Sequence, residues 1–496
     1  MRFTKPVPLL LPLSSIPSLV SSQSTNGSVD LSWHAPLSSN INSLSSAVNG
    51  TGTYGFIFNS STLPSGVPYG TYDWCNMPHV RASEYPQANS SYTLEYVEVI
   101  HRHHKRTPYA ANTFPVESYP WYCSDEGLFY YGQPLPSTRG SNTSASTYWS
   151  VYTSSSNPLA PQGFNGTCQF PQITVGGLED SLQHGRDLFG VYHDLLHFLP
   201  SSYRSSQVSF RVTNNVITSQ VAGMLIAGMY PATASHDVPL LIQPDSIDSL
   251  EPAYTCSAAS SLYSSYGSGS TAPGWRAHLD AARSLYATLD SISGVSPSAS
   301  GWHVSFDHYF DNLSARLCHA KPLPCNTSNP SLCVSQAEAD EVFRLGEYEY
   351  SYIYRDAGAQ TLQAAVGSYG IWVAELANNL RHVVSPSAAS STSANDAIKY
   401  RHNIAHDGSV SRLLSILQIE KMVWPGMGSE VVFELFKDKK SGKYSVRVLW
   451  GGQILKSSNP SLGIMDMVPV ETVLAYFDGL VGVSASKIPG LCSAGS

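Results

Sequence analysis

Six consecutive basic side chains, His101-Arg-His-His-Lys-Arg106, follow an apolar run containing Tyr96, Val97, Val99 and Ile100 and stop just short of Pro108. The β-formers predict a buried strand, and a proline cannot continue a ladder, so the basic knot falls in the turn at the strand's carboxyl end. In an open α/β sheet that edge is where ligands bind, and guanidinium forks gathered there suit a phosphate or another anion. Taken alone, the cluster reads equally well as a solvated basic run. Two further sites of the same kind tip the balance. Gln207-Val-Ser-Phe-Arg-Val212 alternates like a strand and delivers Arg211 near its end, and Tyr400-Arg-His-Asn-Ile-Ala405 leads directly into His406-Asp407-Gly408.

The elements that must hold these residues are legible from periodicity. Leu182, Leu188, Phe189, Tyr192, Leu195, Leu196 and Leu199 fall largely at helical spacing between Leu178 and Pro200. His184, His193 and His197 on that helix read as packed or surface histidines rather than metal ligands. A helix over Val216 to Tyr230 follows the Arg211 strand, and Val238 to Ile242 is another short apolar run. Ser335 with Glu338 forms a capping box that opens a helix bearing Val342, Phe343, Tyr350 and Tyr354. An amphipathic stripe runs from Leu362 through Tyr369 and Leu376 to Leu380 and ends at Ser385-Pro386. Val431 to Phe436 and Tyr444 to Trp450 predict a β-hairpin. The pattern is α/β: a mostly parallel central sheet flanked by helices, in two core parts, 91-256 and 335-496. A smaller, mainly helical cap over 257-334 separates them, and residues 109-172 form an irregular insertion. Residues 23-90 read as a loop-rich extension over the surface.

A charged fraction of 13% with abundant Ser, Tyr, Gly and Pro suits a loop-rich extracellular protein. The net charge of -8 argues against nucleic acid as a partner, because the basic residues are local rather than spread over a surface. Arg2 and Lys5 before the apolar segment Pro6 to Val20 predict a signal peptide over 1-22, although four prolines are unusual there. No later stretch predicts a membrane span. Eight cysteines without C-x-x-C spacing predict disulfides rather than a metal site, with the pairing open. Eight N-x-S/T sequons, at Asn26, Asn49, Asn59, Asn89, Asn142, Asn165, Asn312 and Asn326, suit N-glycosylation, though a Ser-rich chain also produces them by chance. The oligomeric state is not legible.

Arg102-His103-x-x-Arg106-x-Pro108 together with His406-Asp407 closely resembles the histidine acid phosphatase family, whose signatures are an R-H-G-x-R-x-P loop and a distant H-D pair. The resemblance runs from about Leu94 to Leu455 and includes Trp424-Pro425 and the hairpin with Tyr444-Ser-Val-Arg447. It implies a phosphoglycerate-mutase-like sheet, no cofactor and no metal. His103 would be the nucleophile, forming a phosphohistidine. Arg102, Arg106, Arg211 and His406 would hold the phosphate, and Asp407 would protonate the leaving alcohol. The neighbouring arginines should lower the His103 pKa, while burial beside a substrate dianion should raise that of Asp407. One residue departs from the signature: the glycine after the nucleophile is His104, which could reshape the loop. Lys105 and His101 read as bystanders, Lys105 as one that could point to solvent. The expected substrate is a small phosphomonoester, because outside the loop no dense Lys/Arg cluster awaits a phytate. A phytase is the alternative, and a secreted anion-binding protein without turnover is a reading of another class.

Overall fold

The strand predicted before the basic knot forms over Tyr92–Arg102 (β1) and lies at the centre of an eight-stranded mixed sheet in a computed structural model of the chain. The structure describes residues 28–57, 66–115, 119–123, 156–157, 164–231, 238–385 and 398–493. The predicted signal peptide, the sequons at Asn26, Asn59 and Asn142, and most of the 109-172 insertion with Tyr130-Tyr131 lie outside them.

The other strands are Val208–Val212 (β2), Leu240–Leu241 (β3), Tyr400–Ala405 (β4), Glu430–Asp438 (β5), Tyr444–Trp450 (β6), Gln453–Ile454 (β7) and Val468–Pro469 (β8). Their order is β8-β6-β5-β1-β4-β2-β3, with β7 paired to β6. From β1 to β3 every pairing is parallel, and β5 to β8 add antiparallel pairings on the other side. The β1–β4 register sets Arg102 opposite Ala405, and β2–β4 sets Val212 opposite Ile404. Three parallel strands therefore end together, and their loops share one edge.

Pleating divides β1 between two apolar clusters. Val97 and Val99 join Val208, Phe210 and Val212 on the side covered by the helices Val175–Phe189 (α1) and Val216–Met229 (α2). Tyr96 and Ile100 join the larger cluster on the other side, with Tyr369, Val373 and Leu376 of the long helix Ala359–Val384 (α5). That cluster also takes in Tyr309, Phe310 and Leu313 of Asp307–Cys318 (α3) and Val342 and Phe343 of Gln336–Ser351 (α4). The capping box at Ser335 and Glu338 is present at the start of α4. The helix Asp407–Ile416 (α6) follows β4 at once.

Residues up to 90 do more than cover the surface. Tyr72, Trp74, Cys75, Met77 and Val80 are buried. Asn312 is 3% exposed and bonded to Asn112 and Arg316, so its sequon is closed to a glycan in the folded chain, whereas Asn49 and Asn89 are exposed. The cysteines pair as Cys75–Cys318, Cys123–Cys168, Cys256–Cys492 and Cys325–Cys333. Among the described residues no helix is long and apolar enough to cross a membrane.

Candidate active site

Backbone hydrogen bonds pin the signature loop on both flanks. Arg102 N–H donates to Ser429 O (2.9 Å), His103 N–H to Ala405 O (3.0 Å) and Gly428 N–H to His103 O (3.0 Å). Further along, Thr107 N–H donates to Gln172 O (2.9 Å), and Lys105 O accepts from Thr174 N–H (3.2 Å) at the entry to α1. The first turn of α1 comes so close that a Cβ on Gly177 would lie 2.1 Å from Lys105 O, which only glycine tolerates.

His103 is 1% exposed. Its Nδ1 lies 3.0 Å from His104 O, and donation there leaves Nε2 with the free lone pair that a nucleophile needs. The His406 ring stands 5.3 Å away, edge to face. Burial, then Arg102, Arg106 and His406, hold the His103 pKa well below the usual imidazole range. The expected direction is present, with burial as the first cause.

Arg102 donates from Nη1 to Pro425 O (2.6 Å), pairs through Nη2 with Asp407 Oδ2 (3.1 Å) and lies over the Trp74 ring at 4.7 Å. Arg106 donates from Nη1 to Asp311 Oδ1 (2.9 Å) and lies over Tyr109 at 4.1 Å. Among the described residues the buried Nε of each guanidinium has no acceptor, so each keeps a donor for an oxyanion. His406 Nε2 sits 3.0 Å from Thr213 Oγ1 and 2.8 Å from Glu251 Oε2.

Asp407 occupies the first turn of α6, where the helix dipole favours a carboxylate. Its Oδ2 accepts from Trp424 Nε1 (2.7 Å) and Tyr350 O–H (3.3 Å), two rings stacked at 4.0 Å, and a fifth of its side chain (21%) reaches solvent. Burial pushes its pKa up, but Arg102, the Trp424 donor, His406 and Arg106 together outweigh it and hold the carboxyl below its ordinary range. The sequence reading expected the opposite displacement. The ion pair to Arg102 outweighs the burial that would otherwise raise it.

Five of the six predicted residues therefore converge. Arg211 does not. Pleating sends Phe210 toward α1 and α2 and Arg211 toward α5, where its guanidinium is held by Glu375 (2.7 Å), Gln243 (2.7 Å), Asp248 (3.1 Å) and Ser249 (2.9 Å). Lys105 also differs from expectation. It is buried and paired with Asp180 at 3.0 Å rather than pointing to solvent. His104 turns away from the pit into a buried contact with His184. Thr213, Trp74, Tyr350 and Glu251 escaped the sequence reading. Only Thr213 had a signal, standing two residues after Arg211 at the same strand end.

No protein-family model matches the chain. Counting factor 60 of Dictyostelium discoideum is 24% identical over 374 residues, 73% of this chain and 80% of that protein. A protein described as a probable acid phosphatase, from the same organism, is 25% identical over 173 residues, 33% of this chain and 30% of its own length. The phytase of Hafnia alvei in complex with tartrate superposes with a TM-score of 0.52 at 13% identity, covering 80% of this chain and 99% of that one. Its apo form gives 0.51 at 12% identity over the same shares. The chain has the histidine acid phosphatase and phytase fold, which bears out the resemblance carried by its motifs.

Proposed function

We propose that the chain is a secreted acid phosphatase that hydrolyses phosphomonoesters through a phosphohistidine on His103. The observation that carries this reading is the convergence of a buried, neutral imidazole, two guanidiniums with spare donors and a carboxyl group at one sheet edge. In the first step His103 Nε2 attacks phosphorus, the bond to the ester oxygen breaks, and that oxygen takes the proton of Asp407 to leave as an alcohol. In the second, water attacks phosphorus, the P–N bond breaks, and Asp407 recovers a proton as phosphate departs. Arg102, Arg106 and His406 oppose the charge of the transferring group, so the transfer itself calls for no metal. The acid optimum follows from Asp407, whose acid form is populated only as pH falls toward its lowered pKa.

A small monoester fits this surround better than phytate does. Asp311 sits on Arg106, Glu251 on His406, and Glu375 with Asp248 on Arg211, so carboxylates interleave the cations that a hexaphosphate would need free. Four disulfides support an oxidising destination, and the exposed Asn49 and Asn89 are the proposed glycan sites. The test is turnover of an aryl phosphate, a sugar phosphate, a lysophospholipid and phytate by wild type and His103→Ala across acid to neutral pH. His103-dependent turnover, with simple esters preferred, supports the proposal. Phosphate binding without turnover at any pH would leave an anion-binding protein on the same fold.

A further inference from the structure

Behind the signature loop, on the α1 side of β1, lies a group of histidines that phosphoryl transfer does not use. We propose that His101, His104 and His184 form a buried site for a first-row transition-metal ion of the zinc class. It locks the signature loop to α1 and takes no part in the chemistry at His103. The pleat that points Arg102 toward Trp74 and Asp407 points His101 the other way, with Val97 and Val99, toward α1. His184 comes up from α1, and His104 turns back from the loop to meet it. All three are fully buried, and one ring nitrogen from each lies within 4.8 Å of the others.

The hydrogen bonds around two of the three rings, His101 and His184, are those of oriented ligands. His101 Nδ1 is 2.7 Å from Arg102 O, and its Nε2 has no partner among the described residues. His184 Nε2 is 3.0 Å from Glu430 Oε2, whose other oxygen accepts from Val80 N–H. A carbonyl or carboxylate on one ring nitrogen fixes the tautomer and aims the opposite lone pair, the arrangement that accompanies metal-bound imidazole. His184 Nδ1 and His104 Nε2 stand 3.1 Å apart, close to the roughly 3.3 Å between two nitrogens sharing a tetrahedral ion at about 2.0 Å from each. As a purely hydrogen-bonded cluster the group leaves His101 Nε2 buried without a partner among the described residues, an outcome that folded proteins avoid. With an ion, His101 Nε2, His104 Nε2 and His184 Nδ1 all become ligands, and Glu430 offsets the charge. Three imidazoles select zinc, copper, nickel or cobalt over magnesium or calcium.

The test uses the full chain, expressed without an affinity tag in medium supplied with zinc and dialysed against a weak chelator. Elemental analysis is expected to find roughly one zinc per chain, and growth on cobalt should give the visible absorption of a four-coordinate site. His104→Gly, which takes the glycine of the signature, should lose the metal. His103→Ala should keep it while losing turnover, so failure of the metal site and failure of the proposed phosphatase are told apart. Wild-type protein without metal after growth on zinc, cobalt, nickel or copper overturns the proposal, as does a folded His104→Gly that retains it. If His104→Gly does not accumulate, the wild-type stoichiometry and the cobalt spectrum decide.

Discussion

Arg102 and Arg211 occupy similar places in the sequence, Arg102 closing an apolar strand and Arg211 one residue short of a strand's end, yet the fold assigns them different work. Arg102 touches Asp407 and presents an unpaired Nε, whereas the guanidinium of Arg211 is already held by two carboxylates and two neutral oxygens. Arg102→Ala should therefore lower kcat/KM by about 10²- to 10³-fold, the range for loss of a transition-state donor. Arg211→Ala should leave kcat/KM nearly unchanged and cost about 1–3 kcal/mol in urea unfolding, because buried Asp248 loses its cationic partner and keeps only the Leu250 N–H. Equal losses of kcat/KM in the two variants would return Arg211 to the phosphate-binding set. The residue types and the strand ends were legible in the sequence. The face of the sheet on which Arg211 emerges was not, because it depends on the β2–β4 register.

At the scale of elements, the signature loop depends on two neighbours that come within van der Waals limits, α1 at Gly177 and the 425-429 turn at Gly428. Gly428 has φ +71°, and a Cβ there would lie 2.4 Å from the His104 ring. Gly428→Ala should destabilise by about 1–3 kcal/mol through backbone strain, with the His104 clash adding to it. His104→Gly should recover the clash but not the strain, so the double variant should be more stable than the sum of the singles predicts, which a double-mutant cycle in urea measures. Full additivity would place the His104 ring elsewhere. The parallel strands, the capped helix α4, the stripe of α5 and the β5–β6 hairpin were readable because each carries its own periodicity or cap. Trp74, Tyr350 and Trp424 were not readable as site residues. They arrive from three separate segments and meet only through packing against α3 and α4.

Across the whole molecule, buried carboxyls and buried histidines set the response to pH, in opposite directions. Glu347 accepts from Tyr72 O–H and from Trp424 N–H, yet its burial pushes its pKa up from 4.5 to about 8. Glu434, bonded to Tyr85 and Tyr192, is likewise pushed by burial to about 7. For a raised acid, the stability contribution is fully present below the unfolded pKa and is lost as pH rises through the folded one. At about 1.4 kcal/mol for each pH unit crossed, these two groups weaken the protein as pH rises into mild alkali. Buried His103 and His402 and partly buried His319, whose pKa values burial holds low, contribute stability that is lost as pH falls below the ordinary imidazole range, so stability should peak near neutral pH. Thermal unfolding between about pH 7 and pH 9 should show Tm falling with pH, less steeply in Glu347→Gln. A Tm rising over that range would contradict the assignment.

The central claim is that His103 carries the phosphoryl group, and trapping that bond tests it most directly. Wild-type protein mixed with a labelled aryl phosphate in acid and quenched in alkali, where phosphohistidine survives and serine esters are distinguishable, should hold label on the peptide containing His103. Asp407→Asn should still accept label from an activated aryl ester but release it slowly, since water then lacks its base. Turnover of substrate with no label on His103, or undiminished turnover by His103→Ala, would contradict the account.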